Sequence, residues 1–108
     1  MPIFIKTEKF KKETLELSNS ERKNFLLMHK EWVKKISQFG HYIHSGYLIN
    51  ENKIPGGGGL LIFEAQDYST AKKIIEEDPM IKNELVNWEL QEWISINKNQ
   101  PKWLNHLG

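Results

Sequence analysis

Apolar and polar positions alternate with period two over residues 2–7, with Ile3 and Ile5 set against Phe4 and Lys6, the signature of a strand. Residues 8–17 are rich in lysine and glutamate and read as a loop with at most one helical turn. Ser18 then precedes Glu21 by three positions, a capping box whose side chains satisfy backbone N–H groups at a helix start. Arg22, Phe25, Leu26, His29, Trp32, Val33, Ile36 and Phe39 follow at steps of three and four, while Lys23, Lys30, Lys34 and Lys35 fall mostly elsewhere on the wheel. This spacing predicts an amphipathic helix, stopped by Gly40 in a left-handed conformation.

Residues 41–49 read as a second strand, with Gly46 as the position of a bulge or close approach. Residues 50–59, ending in four glycines, read as a flexible hairpin connection that could order over a ligand. Leu60 to Ala65 is nearly all apolar and fits a central strand covered on both faces. Asp67 to Thr70 opens a second helix with Ala71, Ile74 and Ile75 inward, and Asp78-Pro79 ends it. Residues 84–96 form the last strand, with Val86, Trp88 and Leu90 on one face and a bulge or strand end near Trp93 and Ile94.

The order β-α-β-β-α-β predicts an α+β, ferredoxin-like fold, with right-handed crossovers setting both helices on one face of a four-stranded antiparallel sheet. The strands nevertheless carry apolar or aromatic residues on both faces (Tyr42, Ile43, Tyr47, Leu48, Leu60 to Phe63, Trp88). A symmetric homodimer that closes two sheets into a barrel would cover the open face. The organisation expected is one domain over residues 1–96 and a C-terminal tail over 97–108, polar apart from Trp103, Leu104 and Leu107.

The 108 residues carry a net charge of +1 and no cysteine. Near-neutrality argues against a nucleic-acid partner, and Arg22 as the single arginine supplies little bidentate phosphate recognition. The absence of cysteine excludes disulfides, thiolate zinc and a cysteine nucleophile. With no signal-like start and no apolar run of about 18 residues, a cytoplasmic protein without a membrane partner is expected. His41 and His44 form an H-x-x-H, but residues three apart on a strand point to opposite faces, so no metal site is expected there. The glycine run lacks the Lys-Ser/Thr ending of a phosphate loop.

His29 stands out at the centre of the apolar stripe, where an imidazole with an ordinary pKa of about 6.5 suits proton transfer near neutrality. The alternative is a hydrogen-bonded core histidine. Asp78, one of two aspartates against twelve glutamates, falls on the inner face at the end of the second helix, at the unfavourable pole of its dipole. A simple helix stop is the bland reading of Asp-Pro. Both helices face the same sheet, so His29 and Asp78 could pair, with Asp78 orienting the imidazole as a general base.

Met28-His29-Lys30-Glu31-Trp32, Phe39-Gly40, Ser45-Gly46-Tyr47-Leu48, Gly58 to Ala65, Ser69 to Ala71 and Asp78-Pro79 together resemble the YCII-related (YciI-like) family over about residues 2–96. The resemblance implies the dimeric α/β-barrel fold and a His–Asp dyad, at His29 and Asp78, in a pocket between helices and sheet. Trp32, His44, Ser45 and Gly46 are the candidate substrate-binding positions, although a tryptophan such as Trp32 is more often core or interface, and His44, on one face with Tyr42 and Gly46 by strand parity, equally suits exposure. Most members have no established reaction; a characterised relative is a dehydrochlorinase acting on a chlorinated aromatic. This chain departs from the family in having Tyr47 where many members have proline, and in its longer tail.

The expectation is therefore an isomerase or lyase that uses a His general base on a small, cyclic or aromatic ligand, with no cofactor. The alternatives are a non-catalytic ligand-binding or sensor protein on the same scaffold, or cofactor-free oxygenation by analogy of fold.

Overall fold

The computed structural model describes residues 1–38 and 42–96. Its elements run β1 (Ile3–Phe10), α1 (Lys12–Leu15), α2 (Asn19–Gln38), β2 (Ile43–Ile49), β3 (Pro55–Glu64), α3 (Tyr68–Glu76), α4 (Pro79–Lys82) and β4 (Val86–Trp93). The four strands form one antiparallel sheet in the order β2-β3-β1-β4. This is the α+β, ferredoxin-like arrangement expected from the element order.

Helix α2 starts as the capping box predicts: the Glu21 N–H donates to Ser18 Oγ at 3.1 Å and the Ser18 N–H to Glu21 Oε1 at 3.4 Å. Such a cap stabilises a helix by about 1 kcal/mol. Trp32 is buried, with Phe25, His29, Val33 and Ile36 half-buried beside it, while Leu26 on the expected stripe is 42% exposed. Helix α3 is capped by Asp67, whose carboxylate accepts from the Thr70 N–H at 2.7 Å. The Gly40 stop, the His41 half of the H-x-x-H and the tail over 97–108 lie outside the described residues.

Strand register sorts the side chains into two sets. Phe4, Lys6 and Glu8 of β1 are level with Phe63, Leu61 and Gly59 of β3 and with Glu92, Leu90 and Trp88 of β4. Ile43 and Ser45 of β2 are level with Phe63 and Leu61. These positions share the helix-covered face, where Phe4, Trp32, Ile43, Leu61, Phe63, Ala65, Ala71, Ile75 and Leu90 form the main core. Ile5, His44, Gly46, Leu60, Ile62 and Trp93 fall on the other face by the period-two rule.

Three expectations are corrected. The glycine run is not a loop: β3 begins at Pro55, and Gly58 and Gly59 pair with Lys9 and Glu8. Chain reversal is instead made by Asn50, whose side chain accepts from the N–H groups of Asn52 and Ile54, and by Lys53 at φ 62°. Within the strand, Gly57 takes φ +77°, with Leu15 and Phe10 side-chain atoms 3.7–3.8 Å from where a Cβ would sit. The irregularity in β2 falls between Tyr47 and Ile49 instead of at Gly46. Finally, α3 ends at Glu76, and Asp78 caps a further short helix, α4; the proline that blocks one helix suits the first turn of the next.

Candidate active site

Asp78 is fully buried, and every polar contact its carboxylate makes is to a donor. Its Oδ1 lies 2.9 Å from His29 Nδ1 and accepts from the Met80 N–H at 3.0 Å; its Oδ2 accepts from Lys6 Nζ at 3.1 Å. The expected conflict with the α3 dipole is thereby removed, because the carboxylate turns to the Met80 N–H at the N-terminus of α4. Burial by itself pushes the Asp78 carboxyl up. The hydrogen bond from His29, the charges of Lys6 and His29 and the Met80 N–H more than offset it, holding the group below the usual carboxylate range.

An ionised carboxylate only accepts, so Nδ1 of a neutral His29 carries the ring proton and Nε2 presents its lone pair. Nε2 lies 2.7 Å from Ser45 Oγ, whose hydroxyl is then the donor. Helix α2 contributes His29, β2 contributes Ser45 and the α3–α4 junction contributes Asp78. The three side chains form a continuous Ser45–His29–Asp78 line from an exposed hydroxyl to a buried carboxylate.

Behind the line lies a residue that the pattern reading passed over. Lys6 is fully buried on β1, and its ammonium bridges Asp78 and Glu8, the latter through Oε1 at 2.9 Å. The signal was present, since period two puts Lys6 on the same face as Phe4, the covered one. Glu8 is nearly buried, and its second carboxylate oxygen has no partner among the described residues.

The other candidate positions divide. Trp32 lies one helical turn from His29, with ring centroids 5.8 Å apart and ring planes tilted by 37°, and belongs to the core. Its buried indole N–H has no hydrogen-bond partner among the described residues. His44 and Gly46 are not brought to His29: flanking Ser45 on a strand, they fall on the opposite face. There they border, with Ser45, Tyr47, Leu48, Leu60 and Ile62, a shallow concavity of ≈ 320 Å³. A second concavity of ≈ 380 Å³, between Lys11, Ile81 and Trp88, includes none of the three line residues. Among the described residues there is no group of three or more His, Cys, Asp or Glu placed to hold a metal ion, and no helix long and apolar enough to cross a membrane.

No family model and no curated protein matches the chain. Solved structures do. The chain is similar to the 5-chloro-2-hydroxyhydroquinone dehydrochlorinase of Burkholderia phenoliruptrix AC1100, in complex with 2,5-dihydroxybenzoquinone, with a TM-score of 0.64 and 18% identity over 85% of this chain and 93% of that one. It is also similar to an antibiotic biosynthesis monooxygenase, with a TM-score of 0.54 and 13% identity over 90% of this chain and all of the other. The chain has the fold of the dimeric α/β-barrel proteins. At these identities the likeness concerns the fold alone.

Proposed function

We propose that the protein is a YciI-like small-molecule enzyme in which His29, oriented by Asp78, moves a proton on a small cyclic or aromatic substrate, by isomerisation or by elimination of HX. The observation that carries this reading is the pairing of His29 Nδ1 with the buried Asp78 at 2.9 Å, which leaves Nε2 as the base. A substrate C–H or O–H replaces the Ser45 hydroxyl at Nε2 and gives up its proton there. The imidazolium that forms is stabilised by Asp78, and the proton returns to another atom of the substrate or leaves with the halide. A base and a preorganised site suffice for both reactions.

The dehydrochlorinase likeness supplies the first probe, a chlorinated trihydroxybenzene. Chloride release by the native protein is expected to fall by about 10²–10⁴-fold in His29→Gln, with an unchanged circular-dichroism spectrum. Full turnover in that variant removes the role of His29. Turnover absent from the native protein across a panel of halogenated phenols and enol lactones, with loss of stability as the effect of the mutation, supports instead a ligand-binding protein in which the pair serves the core.

The homodimer belongs to the same reading. The face away from the helices carries Ile5, Leu60, Ile62 and Trp93, and Leu48, 55% exposed, lies at its β2 side. A second copy covers such a patch by a two-fold contact. Sedimentation should give twice the chain mass, and Ile62→Asp should shift it to the monomer; a monomeric native protein would discard the assembly.

A further inference from the structure

Ser45 plays only a passive part in the proton transfer proposed above, yet its surroundings equip it for more. Its Oγ lies 2.7 Å from His29 Nε2, and His29 Nδ1 lies 2.9 Å from Asp78. Both distances fall in the range of about 2.6–3.2 Å over which a base activates a hydroxyl and an acid group orients the base. Asp78 is fully buried and fixed by two further donors, Lys6 and the Met80 N–H, so the orienting group is rigid. Ser45 itself is exposed, so a substrate can approach its oxygen.

The backbone adds a donor. The Glu64 N–H donates to the Tyr42 carbonyl, which makes Tyr42, and by alternation His44 and Gly46, the residues hydrogen-bonded to β3. Ser45 lies between them, so its own N–H points away from β3, and β2 ends the sheet order. A nucleophile whose own N–H is turned outward places a hydrogen-bond donor next to the oxygen that gains charge in acyl transfer. Tyr47, 73% exposed, is the next residue on the same strand face and offers a flat ring to an aromatic group.

We propose that Ser45 is a nucleophile activated through His29 and Asp78, and that the protein hydrolyses small aryl esters by way of an acyl-Ser45 intermediate. Ser45 Oγ attacks the ester carbonyl carbon as its proton passes to His29 Nε2. The C–O bond to the aryl oxygen then breaks, and His29 returns that proton to the leaving phenolate. Water attacks the acyl-serine with His29 as base, releasing the carboxylic acid and restoring the Ser45 hydroxyl. The proposal shares with the proton-transfer reading the assignment of His29 as a base oriented by Asp78, and nothing else.

The test uses the full chain with p-nitrophenyl acetate and, separately, diisopropyl fluorophosphate. A burst of p-nitrophenolate is expected, together with an acetyl or phosphoryl adduct mapped to Ser45 by peptide mass spectrometry. Ser45→Ala should lose the adduct, and His29→Gln should slow its formation by about 10²-fold or more. Circular dichroism checks that both variants fold. No adduct on the native protein, adducts confined to lysines or His29, or an undiminished rate at Ser45 in His29→Gln would each overturn the proposal. Elimination that depends on His29, without labelling of Ser45, removes this inference alone. Labelling without elimination removes the proton-transfer reading alone.

Discussion

Lys6→Met should destabilise the protein by about 3–5 kcal/mol, the usual effect of removing one partner from a buried ion pair. Lys6 and Asp78 are both fully buried, and the Glu8 side chain is only 11% exposed. Methionine fills a similar volume without supplying charge. The substitution would leave two carboxylates facing each other across an apolar side chain, with His29 and the Met80 N–H as the remaining partners of Asp78. With domain stabilities of about 5–15 kcal/mol, the urea midpoint should fall by about a fifth or more. Adding Asp78→Asn to Lys6→Met should restore part of the loss, because it removes one orphaned charge. Purely additive effects of the two substitutions would show that the charges do not interact. A loss under about 1 kcal/mol for Lys6→Met would mean the pair is solvated, as surface pairs are.

The second large effect is acid lability. The Asp78 carboxyl is held below its ordinary value in the folded chain, so the unfolded chain binds the proton more readily. Its contribution to stability is therefore complete above the unfolded value, near pH 4, and is lost as pH falls through the folded value. Denaturation free energies should drop with acid below about pH 4. Asp78→Asn should flatten that slope, although it weakens the fold at neutrality. Asp67 also has a lowered carboxyl, chiefly through the Thr70 N–H, but it is exposed and remains in both proteins. The difference between the two pH profiles thus isolates Asp78. Parallel profiles would assign the acid sensitivity elsewhere.

These effects centre on residues whose meaning differed between the chain and the fold. Period two in β1 already divided Ile3 and Ile5 from Phe4 and Lys6, but the pattern treated the lysine as the wet face. Only the packing of α2 and the α3–α4 junction over that face revealed a buried ammonium. Ser45 and His44 are adjacent in the strand and equal in composition-based reasoning; alternation with Ile43, which is in the core, sends one to His29 and the other away. The glycine run misled because glycine is the residue of turns, whereas here it lets β3 continue beside Glu8. A Cβ at Gly59 would meet Glu8 atoms at 3.2 Å.

What the sequence determined by itself is the order of elements, the capped amphipathic helix, and the face on which His29 sits. Those follow from local periodicity and capping, which need no partner more than four residues away. The antiparallel ferredoxin-like sheet followed from that order through the handedness of crossovers. The tertiary structure decided which charges meet. Asp78, Lys6 and Glu8 come from positions as much as 72 residues apart, and the desolvation they share arises only when the helices close over the sheet. A lysine's burial, a carboxylate's proton affinity and a serine's approach to an imidazole depend on distances through space, which no spacing along the chain contains.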